Sequence, residues 1–147
     1  MLRILHKTDL PTLVIIEKLT QYAPWSLEIF ERCLQSGYSG WVIEIEEQVL
    51  AFIIVSFQLG ECHIMNFCVH PLHQNKGLGR QLLEHTLEKA REQGTAMAFL
   101  EVRCSNESAI ALYEKLDFIQ ISVRKNYYEG PQGREDALMF AKDLGVQ

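Results

Sequence analysis

Three groups of residues have types and spacings that suit chemistry. The first is the segment His70-Pro71-Leu72-His73-Gln74-Asn75-Lys76-Gly77-Leu78-Gly79-Arg80, which leads from an apolar run into a strongly periodic one. A helix N-terminus carries unpaired N–H groups and a partial positive charge, so it attracts anions. Glycines at 77 and 79 let a phosphate approach the backbone, and Lys76 and Arg80 add positive charge. The pattern suits a pyrophosphate. It is neither a dinucleotide fingerprint, because Leu82 stands where a third glycine belongs, nor a P-loop, because no Gly-Lys-Ser/Thr follows.

The second is Glu101, a carboxylate inside the apolar run Ala96-Met97-Ala98-Phe99-Leu100-Glu101-Val102. Glutamate is rarely buried without a partner. It stands near the carboxyl end of an expected strand, where open α/β sheets place their ligands, and there it can serve as a general base. A salt bridge to Arg103 or Arg124 is the structural alternative. The third is the pair Asn106 and Tyr113. Seven residues apart on a helix, they share a face to within about 20°. An amide and a phenol would line one groove, and a phenol can protonate a leaving thiolate. Packing of the ring with a solvated hydroxyl is the alternative. His70 and His73 lack a Cys or carboxylate to complete a ligand set, so no metal is expected.

These groups need elements to hold them. Leu2–His6 reads as a strand. Asp9 is the expected N-cap, with Pro11 in the first turn, of a helix to Thr20; Ser26 is the expected N-cap of a second helix to Leu34. Strands are expected at Trp41–Glu46, Val49–Phe57 and Cys62–Val69, then a helix at Leu78–Gln93 ended by Gly94. Ala96–Val102 reads as a strand covered on both faces. Ser105 or Asn106 caps a helix to Leu116. Phe118–Arg124 and Ala137–Leu144 close the chain as strands joined by a polar connection, Asn126–Asp136. The order β-α-α-β-β-β-α-β-α-β-β predicts a mixed α/β fold with one sheet and helices on its faces.

Composition agrees with one domain spanning 1–147. The chain is 48% hydrophobic and 22% charged, ordinary for a globular protein. No run approaches the roughly 20 apolar residues of a membrane span. A net charge of −5 disfavours general nucleic-acid binding. Cys33, Cys62, Cys68 and Cys104 are scattered, and no signal-peptide layout opens the chain, so reduced cytoplasmic thiols are expected, each a small buried hydrophobe.

Gln74-x-x-Gly77-x-Gly79 at a strand–helix junction, followed by Asn106 and Tyr113, resembles the GCN5-related N-acetyltransferases (GNAT). Pro24-Trp25-Ser26, Leu100-Glu101-Val102-Arg103, Arg124-Lys125-Asn126-Tyr127-Tyr128 and Gly133-Arg134-Glu135-Asp136-Ala137 resemble the branch that acetylates the N-terminal alanine of a ribosomal protein. The resemblance covers nearly the whole chain. It implies a central, mostly antiparallel sheet with helices on both faces, acetyl-CoA as donor, and a protein α-amine as acceptor, in that branch small-subunit protein eighteen. It implies cofactor contacts from the backbone of Phe67, Cys68 and Val69, a pyrophosphate loop from Asn75 through Lys76, Gly77, Leu78 and Gly79 to Arg80, and a supporting amide at Asn106. It makes Glu101 the general base and Tyr113 the general acid. Asn75 stands where the family often has Arg, and Asp117 where Gly is usual. If that position is left-handed, Asp tolerates it. A monomer is expected. Broader N-terminal or small-amine specificity, and a non-catalytic acyl-CoA-binding module, are the alternatives.

Overall fold

The computed structural model describes residues 1–145; the last two positions of the expected domain lie outside the described residues. The elements follow the expected order. They are β1 (Leu2–Ile4), α1 (Leu10–Thr20), α2 (Leu27–Gln35), β2 (Ser39–Ile45), β3 (Gln48–Gln58), β4 (Glu61–Val69), α3 (Leu78–Glu92), β5 (Met97–Arg103), α4 (Glu107–Lys115), β6 (Ile119–Gly130) and β7 (Gly133–Asp143). They form one seven-stranded sheet in the order β1-β2-β3-β4-β5-β7-β6. Every neighbouring pair is antiparallel except β4 and β5.

β3 shows why the sheet carries helices on both faces. Its residues Leu50 to Ser56 are all buried. Ala51, Ile53 and Val55 pack with Leu82, Leu83 and Leu87 of α3 and Tyr113 of α4. Phe52 and Ile54 pack with Leu10, Leu13 and Ile16 of α1 and Phe30 of α2. Alternation along the strand therefore feeds two cores. Each large side chain so buried contributes about 1.5–3 kcal/mol of transfer free energy.

Several expectations need correction. Ser26 caps α2 as expected, accepting from the Ile29 N–H, but Asp9 does not cap α1. Its carboxylate accepts instead from the His6 N–H and from both ends of the Arg3 guanidinium. β5 is not covered equally on both faces: Ala98, Leu100 and Val102 are buried, while Met97, Phe99, Glu101 and Arg103 are only half covered. That is how a glutamate fits into the run. The polar stretch Asn126–Asp136 is not a loose connection. Most of it extends β6 and β7 into a long hairpin, with Tyr128 opposite Glu135 and Glu129 opposite Arg134. Polar residues suffice there because most of this outer strand faces solvent. Cys33, Cys62 and Cys68 are buried as expected, but Cys104 is exposed.

Candidate active site

The site exists because β4 and β5 part company. They pair only from Glu61↔Met97 to His63↔Phe99. Beyond that point a register shift against β3 leaves Met65 as an extra residue, since Ile54 faces Asn66 while Val55 faces Ile64. Such a bulge bends the strand and breaks its alternation. Cys62 and Ile64 face the α3–α4 core before it; Phe67 and Val69 face that core after it. Asn66 and Cys68 consequently turn toward α1 and α2.

The parted strands leave a slot open on both faces of the sheet. On the α3–α4 side lies a cleft of about 1110 Å³, lined by Phe67, Val69, Asn75, the Gly77–Arg80 segment, Asn106 and Tyr113, while Lys76 is not part of its lining. On the α1–α2 side a recess of about 220 Å³ is lined by Glu17, Trp25, Asn66, Glu101, Tyr113 and Tyr128. Tyr113 reaches both.

The loop is shaped for an anion. Gly77 is the N-cap of α3 at φ 82°, and a Cβ there would meet nothing within 4 Å. Asn75 is also left-handed, at φ 63°. Gly79 has a different reason from the one expected. A Cβ there would come to 3.3 Å from the Phe67 ring and 3.5 Å from Val69. The glycine lets α3 lie close on β4. Leu78 is buried, so only its backbone is available to the cleft, while Arg80 is paired with Glu84. Asn106 caps α4, its Oδ1 accepting from the Ala109 N–H at 3.2 Å, which leaves its amide N–H₂ without a partner among the described residues. Asp117 is left-handed, at φ 67°, the conformation its place in the sequence requires.

The β3–β4 ladder fixes which strand amides are free. His70 N–H donates to Leu50 C=O at 2.7 Å. Alternation then points the Cys68 N–H at β3, and those of Phe67 and Val69 into the slot. The Phe67 N–H is taken by Asn66 Oδ1 at 2.8 Å. Val69 is left with the open amide, and Cys68 contributes none.

Glu101 sits on the half-open face of β5, with Arg124 Nη2 at 3.6 Å. Arg124 lies over the Tyr127 ring, so of the two candidate partners it is Arg124 that faces Glu101. Arg103 instead faces Glu135 and stacks on Tyr128 at 4.5 Å. Tyr113 is 5% exposed, its ring among Phe67, Phe118 and Phe140. Burial, then the charges of Cys68 and Tyr128, push its phenol well above the ordinary tyrosine range. It stays protonated at neutral pH, so it has a proton to give. No hydrogen bond from the described residues occupies its hydroxyl. The loop histidines serve local structure: His70 Nδ1 accepts from the Leu72 N–H, and His73 lies beside Lys76.

The Acetyltransferase (GNAT) family model matches residues 5–118. The chain belongs to the GNAT family. It is 40% identical over 142 residues to the Escherichia coli K12 [ribosomal protein bS18]-alanine N-acetyltransferase, covering 97% of this chain and 96% of that one. The crystal structure of the Escherichia coli ribosomal-protein-S18-alanine N-acetyltransferase superposes with a TM-score of 0.95 at 37% identity, covering 100% of this chain and 95% of that one. A Salmonella typhimurium protein solved with its cofactor acetyl-CoA shares the fold, with a TM-score of 0.83 at 22% identity, covering 100% of this chain and 95% of that one. The chain is an N-acetyltransferase, and acetyl-CoA is its donor. The cleft fits that donor, with an anion-shaped loop at one end and an open strand amide at the other.

Glu17 and Asn66 line the recess without having stood out in the sequence, and Tyr128, which lines it too, stood out only as part of the Arg124–Tyr128 motif. Glu17 carried a signal. It lies four residues after Leu13 and seven after Leu10, on the buried face of α1. A carboxylate on such a face needs partners.

Proposed function

We propose that this N-acetyltransferase modifies the α-amine of the N-terminal alanine of a ribosomal protein, small-subunit protein bS18. The observation that carries the reading is the slot between β4 and β5, with Glu101 facing one side of the sheet and Tyr113 reaching both. The near full-length similarity to the Escherichia coli bS18-alanine enzyme supports the choice of acceptor.

Acetyl-CoA supplies an acetyl group activated as a thioester. The Asn75–Arg80 loop holds its phosphates through backbone N–H groups and Lys76. Phe67 and Val69 line its pantetheine arm, and Asn106 supports it from α4. An α-amine has a pKa of about 7.7–8.0, so much of it is protonated at neutral pH. Glu101 removes that proton, directly or through a water. The Val69 N–H polarises the thioester carbonyl. The free amine attacks the thioester carbon, the C–S bond breaks, and Tyr113 gives its hydroxyl proton to the departing sulfur and regains one from the acetylated nitrogen. No covalent bond to the protein is needed.

The enzyme is proposed to act as a cytoplasmic monomer with no direct contact to nucleic acid. A net charge of −5 favours encounter with a basic ribosomal protein. Mass spectrometry of ribosomal-protein N-termini, from cells with and without this protein, tests the acceptor. Acetylated bS18 should disappear in its absence. Unchanged bS18 acetylation would sink the assignment, and a panel of N-terminal peptides and polyamines would then identify the true amine.

A further inference from the structure

The recess on the α1–α2 side contains a buried carboxylate that the reaction does not use. Glu17 is 1% exposed. Its Oε2 accepts from the Trp25 N–H at 2.7 Å. Its Oε1 accepts from Asn66 Nδ2 at 2.8 Å and lies 3.3 Å from Cys68 Sγ. No Arg, Lys or His pairs with it among the described residues. Such a group is costly to bury unless every partner is in place.

The partners it holds are walls of the recess. Residues 22–25 have no regular structure, and the Trp25 N–H to Glu17 is their only hydrogen bond among the described residues. Trp25 then sets its ring edge-on to Phe30 at 5.3 Å. Asn66 is the residue after the bulge. With its Nδ2 held by Glu17, its Oδ1 is aimed at the Phe67 N–H. Cys68 completes the cluster: its sulfur also accepts from Gln21 at 3.2 Å and from Thr20 at 3.5 Å. One carboxylate thus joins a loop, a helix and the parted strand around the place where the acceptor must sit.

We propose that Glu17 is a positioning residue for the acceptor: by clamping Trp25 and Asn66 it fixes the mouth and floor of the recess that receives the substrate's first residues. The role rests on reading that recess as the acceptor side. Glu17 does not touch the reacting atoms and moves no proton.

The test is steady-state kinetics with an N-terminal alanine peptide. Glu17→Gln keeps the shape but sets an N–H₂ against one of the donors. It should raise the peptide KM about tenfold, the size of one lost charge-assisted hydrogen bond. The acetyl-CoA KM and the pH profile of turnover should stay as in the wild type. Combining it with Asn66→Asp reverses the polarity of the pair, because the introduced amide can donate to the introduced carboxylate, and should return the peptide KM toward the wild-type value. Asn66→Ala, which leaves the Trp25 bond intact, should raise the peptide KM more modestly and serves if Glu17→Gln does not fold. A peptide KM unchanged in the folded variants, with only a lower Tm, overturns the proposal. So does an equal rise in the acetyl-CoA KM, or a displaced acidic limb of the pH profile. Glu101→Gln run alongside separates the two readings: if it retains full rate, the acceptor-side reading itself has failed.

Discussion

In the proposed mechanism Glu101 and Tyr113 divide the proton work between them, and their surroundings differ accordingly. Glu101 is part-exposed on the open face of β5, where it can exchange protons with water. Tyr113 is buried among rings that hold its proton on. Glu101→Gln should lower turnover by about 10²–10⁴, the usual range for a lost general base, with acetyl-CoA binding by calorimetry nearly unchanged. A full-speed variant would return Glu101 to being a partner of Arg124. Tyr113→Phe keeps the ring packing and removes a hydroxyl with no protein partner among the described residues. Turnover should fall by something like 10², while the Tm hardly moves. The defect should shrink with a thioester whose thiol is more acidic, since that leaving group needs less help. Both proposed residues stood out in the sequence, one as a carboxylate in an apolar run and the other as a phenol in register with an amide. Asn66 breaks no such pattern. Its orientation depends on the bulge at Met65, and nothing in Ile64-Met65-Asn66-Phe67 announces an extra residue.

Among the elements, helix and strand order followed from periodicity and caps, while the edges of the sheet did not. The β6–β7 hairpin is polar because it is exposed, and a polar segment with Pro131 and glycines at 130 and 133 reads as a loop in one dimension. Asp9 is the parallel case at the other edge. A residue placed like a cap is used instead as a clasp, holding Arg3 of β1, which also reaches Glu44 of β2 at 2.7 Å. The Arg3 guanidinium, with help from the His6 N–H, holds the Asp9 carboxyl below its ordinary range despite its burial. A carboxyl with a lowered folded-state pKa contributes stability that is fully present above its unfolded value, about 3.9, and is lost as pH falls through the folded one. Wild-type stability should therefore drop below about pH 4. Asp9→Asn should be less stable at neutral pH and should lose less on acidification. Urea melts at neutral and acid pH, run on both proteins, measure the difference. Parallel losses would remove Asp9 from the acid response.

At the scale of the molecule, the sheet is both scaffold and partition. The α3–α4 face carries the Asn75–Arg80 loop and the α1–α2 face carries the recess around Glu17, with the slot as the passage between them. Two-sided cover was expected of Ala96–Val102, whereas β3 is the strand that feeds both cores, and the passage was not legible, because it depends on where two parallel strands stop pairing. That passage has a consequence for the order of events. In the proposed reading donor and acceptor approach from opposite faces, so neither blocks the other's way in, and neither product must leave before the second substrate arrives. Double-reciprocal plots at several fixed peptide concentrations should intersect rather than run parallel. Free CoA should compete with acetyl-CoA yet not with the peptide. A single molecule joining CoA to the peptide's first residue through the slot should compete with both.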